Sequence, residues 1–89
     1  GVPKDDKQAV YWYKKAAEQG LVSAQLYLGL MYDKGEGTAQ DYVQAHKWWN
    51  IASVNGNDKA KTLKDRIEKK MTSTQITKAN ILAKESLNM

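Results

Sequence analysis

The sequence repeats itself. Laying residues 1–24 over residues 37–60 gives eight identities in 24 positions at an offset of 36. They are Gly1/Gly37, Asp5/Asp41, Gln8/Gln44, Ala9/Ala45, Trp12/Trp48, Ala16/Ala52, Gly20/Gly56 and Ala24/Ala60. These matches fall on helix caps, on an apolar stripe and on glycines. A period of this length marks a stacked architecture, in which each unit buries its apolar face only against its neighbours.

One unit can be read from its residues. Asp41 is placed to cap a helix, with Gln44 three positions on as the partner of a capping box, and Asp5 with Gln8 repeats the pattern. Ala45, Trp48, Trp49 and Ala52 follow at helical spacing, as do Ala9, Trp12, Tyr13 and Ala16. The alanines leave room for a neighbouring helix and the rings fill the space beside it. Trp12, Trp48 and Trp49 are therefore expected in the core. Gly20 and Gly56 end these helices, where a left-handed residue is wanted.

A second kind of helix follows each glycine. The first is expected over 22–34, with Ala24, Leu28, Met31 and Tyr32 inward. Gly29 within it costs about 1 kcal/mol against Ala, which implies the close approach of another backbone. Gly35-Glu36-Gly37 forms the following turn. The second such helix spans 58–71, capped by Asn57, with Ala60, Leu63, Ile67 and Met71 inward. Thr72 and Gln75 form another capping-box pattern. Ile76, Ala79, Ile81, Leu82, Ala83 and Leu87 then give a broad apolar face over 73–87, read as a terminal cap on the stack. The reading is all-α, a solenoid of about five helices without strands.

Composition narrows the chemistry. The 89 residues contain no cysteine and one histidine, so no thiol nucleophile, disulfide frame or cysteine-histidine metal site can form. His46, beside Lys47, is expected on the outward side of the 41–55 helix. Ser23, Ser53, Ser73 and Ser86 lie in no nucleophile motif, and Gly35 and Gly37 precede no phosphate-loop lysine. No catalytic, cofactor-binding or metal-ligating residues are assigned, and an enzyme is not expected. The longest apolar stretch, Leu26 to Tyr32, is too short to span a bilayer.

Charge is unevenly placed. Residues 1–57 balance, and the net +4 resides in residues 58–89. Lys59, Lys61, Lys64, Arg66, Lys69 and Lys70 share one helix, so contact with nucleic acid or another anionic surface through 59–70 is the competing functional reading. Nucleic acid is disfavoured: the helix has one arginine and no aromatic ring on which a base could stack.

The pattern Ala24, Leu28-Gly29, Tyr32, Gly35, Gly37, Asp41, Ala45, Trp48-Trp49, Ala52-Ser53, Gly56, Ala60 resembles the Sel-one-like repeat, a relative of the tetratricopeptide repeat. Trp49, Ser53 and Thr38 depart mildly from the family's usual Tyr, Ala and Val. Leu21 stands where a polar cap is common, at an exposed corner. The resemblance covers residues 1–71 and implies a right-handed α-α solenoid that serves as a protein-interaction scaffold. Bacterial members are often exported or periplasmic. On this reading residues 1–20 are a half-repeat, 21–56 a complete repeat, 57–71 a half-repeat and 72–89 a capping helix. About three repeats normally make a stable array, so the native protein is expected to continue N-terminally.

In such arrays the first helix of each pair lines the concave face. On the 22–34 helix the non-core side carries Ser23, Leu26, Tyr27, Leu30 and Lys34. Ser23, Tyr27, Leu30 and Lys34 are the expected contacts for a protein or peptide partner, while Leu26 and Leu30 compete with packing on neighbouring helices. The open face around Tyr11 and Tyr13 is expected to pack on a second copy. Sedimentation across a concentration series then shows a dimer; a monomer throughout rejects that contact.

Overall fold

The computed structural model describes residues 6–88. The expected cap at Asp5 lies outside them. Five helices follow one another: α1 (Asp6–Glu18), α2 (Val22–Lys34), α3 (Tyr42–Val54), α4 (Asp58–Glu68) and α5 (Ser73–Leu87). No strand occurs among the described residues. Each of the first three packs on the next, and α5 returns to lie against α3, giving a right-handed all-α solenoid.

The caps follow the sequence. Asp41 accepts from the Gln44 amide at 3.1 Å and Asn57 from the Ala60 amide at 2.8 Å. At Thr72 and Gln75 both bonds of the capping box form. Leu21 offers α2 no side-chain cap and is exposed. The repeat is also visible in the helix ends. The Leu21 amide bonds the Ala16 carbonyl at 3.1 Å, and 36 positions later the Asn57 amide bonds the Ala52 carbonyl at 3.0 Å. Gly20 and Gly56 supply the positive φ that this closure requires.

Two apolar clusters hold the stack, one on each side of α3. Trp49 belongs to the first, with Leu26, Ala45, Ala52, Ala60, Ile67, Met71 and Ala79. Trp48 belongs to the second, with Ala17, Ala24, Leu28, Ile51 and Ala83. Consecutive residues on a helix point about 100° apart, so a Trp-Trp pair can serve two different interfaces. Buried alanines let the helices approach closely, and Asn50 donates to Asn80 at 3.0 Å where α3 meets α5.

Gly29 is needed for a close approach, but not of a backbone. A Cβ there would overlap the Trp49 indole. The ring settles directly on α2, and its Nε1–H donates to the Leu26 carbonyl at 3.0 Å.

Three other expectations are corrected. Trp12 is 56% exposed, although its equivalent Trp48 is 5% exposed. Trp48 is enclosed by α1, α2 and α5, whereas among the described residues no helix takes the corresponding place against α1. His46 is fully buried rather than outward. Three helices surround α3, and the Glu68 carboxylate of α4 accepts from His46 Nε2 at 2.7 Å, while Nδ1 has no partner. Ile81 and Leu87 are exposed; the cap covers α3 through Ala79 and Ala83, with Ile76 and Leu82 half-buried.

Lys47 is half-buried, its ammonium 4.5 Å from the centre of the Trp48 ring. Burial, helped by the nearby charge of Lys14, lowers its pKa below 10.5, with Glu18 opposing. Burial, then Asp41 and Glu18, raises that of Tyr32.

Two outcomes are expected. Gly29→Ala gains about 1 kcal/mol of helix propensity but displaces a buried ring, an overpacking cost of about 1–3 kcal/mol, and breaks a buried hydrogen bond worth about 1 kcal/mol or more. Chemical denaturation should show a net loss of ~1–3 kcal/mol, and unchanged stability would mean that the indole moves aside freely. For Lys47, the unfolded chain holds the proton more tightly than the folded one, so its contribution to stability rises with pH in the window just below 10.5. Thermal melts of wild type and Lys47→Met, at neutral pH and in that window, should show wild type gaining on the variant as pH rises. A constant difference contradicts the shift.

Candidate protein-binding surface

One face of α2 remains open. Ser23, Tyr27, Leu30 and Lys34 lie at i, i+4, i+7 and i+11, which makes a single stripe. Ser23 and Lys34 are exposed, and Tyr27 is 50% exposed. Leu30 is half-buried and packs on the first cluster. Leu26 is 8% exposed and belongs to the core, so it drops out of the surface. The Tyr27 ring leans on Tyr13 of α1, with centroids 5.7 Å apart and planes at 31°. That contact restrains an aromatic side chain that still presents one side to solvent, the kind of residue that anchors protein contacts at low entropy cost.

The structure adds a second stripe. The positions 36 residues beyond Ser23, Tyr27, Leu30 and Lys34 are Lys59, Leu63 and Arg66 on α4 and Lys70 just past its end. Lys59, Arg66 and Lys70 are exposed, and Leu63 is half-buried. Where this face meets the end of α2, Asp33, Leu63, Arg66, Ile67 and Lys70 surround a cleft of about 160 Å³ with Trp49 at its floor. Reading 59–70 as an isolated basic helix misses this surface. The repeat offset carries the signal, since equivalent residues of a stacked array share a face.

A second cleft of about 440 Å³ opens between the ends of α1 and α5, over Lys47, Trp48 and Ile51. Beneath it the buried Gln25 amide donates to the Ala17 carbonyl at 3.1 Å and accepts from Asn55 at 3.4 Å. These bonds tie α1, α2 and α3 together, a structural use of the side chain. On α1, Tyr11 and Trp12 are exposed and meet edge to face, and Lys15 lies over the Tyr11 ring. Among the described residues no group of three or more metal-ligating side chains converges, and no helix is long and apolar enough to cross a membrane.

Comparison with known proteins places this geometry. The Sel1 repeat model matches residues 1–21 and 22–57. Chitin synthase regulatory factor 3 of Schizosaccharomyces pombe is 38% identical over 76 residues, 85% of this chain and 8% of that protein. Chitin synthase regulator SKT5 of Saccharomyces cerevisiae is 37% identical over 57 residues, 64% of this chain and 8% of that protein. The chain thus spans under a tenth of the length of these curated relatives. The crystal structure of c5321, a protective antigen present in uropathogenic Escherichia coli strains and displaying an SLR fold, superposes with a TM-score of 0.90 at 42% identity. The match covers 98% of this chain and 19% of that one. Sel1 and tetratricopeptide-like repeats are characteristically non-catalytic interaction scaffolds. By its repeat match, its caps and its stacked helix pairs, the chain belongs to the Sel1 repeat family.

Proposed function

We propose that this chain binds a protein or peptide partner along the open face of α2, with Ser23, Tyr27, Leu30 and Lys34 making the contact. The observation that carries the reading is the Tyr27 ring, half exposed and braced by Tyr13, with the half-buried Leu30 between it and an exposed Lys34. A braced aromatic with flanking polar groups suits a wet, moderately polar interface. The relatives named as chitin synthase regulators fit a module that acts by engaging another protein. Within this reading, residues 1–20 and 57–71 are half-repeats, 21–56 a complete repeat and 72–89 a cap. The face of α1 around Tyr11 and Tyr13, where Tyr11 is exposed, accepts a second copy.

The test pairs wild type with Tyr27→Ala/Lys34→Ala as baits in nuclease-treated lysate of the source organism. Both positions are open, so the variant is expected to fold, and a matching circular dichroism melt confirms it. A protein retained by wild type and reduced at least about tenfold by the variant supports the reading, since loss of a central aromatic anchor typically costs about 2 kcal/mol or more. Equal recovery by both baits rejects this face.

A further inference from the structure

The face of α4 is chemically unlike that of α2. From Lys59 to Lys70 it carries three cations around Leu63, and Lys34 sits at the matching end of the α2 stripe. The acids are elsewhere. At about 100° per residue, Asp58 and Asp65 fall on the side of α4 away from this stripe. Glu68 is turned to His46, at 2.7 Å. Asp33 is the one carboxylate lining the cleft. The segregation leaves a positive surface around a cleft in which Leu63 is half-buried between charged groups.

We infer that this groove takes an acidic peptide segment, in extended form, with carboxylates on Lys59, Arg66 and Lys70 and one aliphatic side chain seated in the cleft over Leu63 and Ile67. The inference rests on the protein-binding reading above and names the chemistry of its partner. Lys59 to Arg66 spans seven positions of α4, about 10 Å, and Lys70 stands two residues past its end; an extended segment of about five residues covers this run. A segment that alternates acidic and apolar side chains therefore reaches both ends of the stripe while lowering a side chain into the cleft. Arg66 offers a planar fork that matches a carboxylate through two hydrogen bonds. This surface is unlike a nucleic-acid track: α4 carries no ring for base stacking, and a single arginine is present.

The test uses the whole chain and fluorescence anisotropy with four probes. The first is a fluorescein-labelled peptide alternating glutamate and leucine. The second replaces each glutamate by glutamine, the third replaces each leucine by serine, and the fourth is a labelled deoxythymidine oligonucleotide. The glutamate–leucine peptide is expected to bind most tightly. Its affinity should fall by about tenfold or more between about 50 and 300 mM salt, because opposed surface charges are screened over about 10 Å. Arg66→Glu/Lys70→Glu, both at exposed positions, should abolish binding, while Lys61→Glu/Lys64→Glu, away from the stripe by helical spacing, should leave it within about twofold. The proposal is overturned if the glutamine peptide binds as well, if the serine peptide binds as well, if both charge reversals act alike, or if the oligonucleotide binds more tightly than the peptide. Should the acidic peptide fail while a partner dependent on Tyr27 and Lys34 is still retained from lysate, the acidic-segment inference falls and the broader reading stands.

Discussion

The seat of Trp49 on α2 sets the geometry of everything around it. The indole occupies the space that a side chain at position 29 would need, and its N–H is satisfied by the Leu26 carbonyl. A buried indole N–H without a partner would cost about as much as the packing gains. The glycine and the hydrogen bond therefore work as one device: the first lets the ring come close, the second makes the closeness stable. With α2 and α3 fixed at this distance, Ala52 and Ala60 join the same apolar cluster as the ring, and the indole also lines the cleft beside Leu63.

Trp48 plays the corresponding part on the other side of α3. It gathers alanines from α1, α2 and α5 around one ring. Stability is thus shared among interfaces between neighbours, as in other stacked arrays, rather than concentrated in one centre. The polar ties follow the same pattern. Gln25 joins three elements, His46 joins α3 to α4 through Glu68, and Asn50 joins α3 to α5.

Much of the fold was legible in the chain. The offset of 36, the caps at Asp41, Asn57 and Thr72 and the left-handed glycines depend on local physics, and local physics is written locally. Burial was less legible, because it depends on what lies across the interface. Trp12 and Trp48 occupy equivalent places, yet only Trp48 has helices on every side. His46 reads as polar and outward, but its equivalent is Val10, a half-buried apolar residue, and that comparison points inward. The candidate surface was half legible. The α2 stripe follows from helical spacing, with Leu26 lost to the core, whereas the α4 stripe needs two helices laid side by side.

The two stripes are built on one template and filled differently. Where α2 has Ser23, Tyr27, Leu30 and Lys34, α4 has Lys59, Leu63 and Arg66, with Lys70 just past its end. A homogeneous array would be blind to the direction in which a ligand lies across it. This one is not: a chain laid from α2 to α4 passes from an aromatic, nearly neutral step to a cationic one. Near-identical scaffolding thereby gains polarity, and successive units act less like copies than like different letters in a short, ordered word.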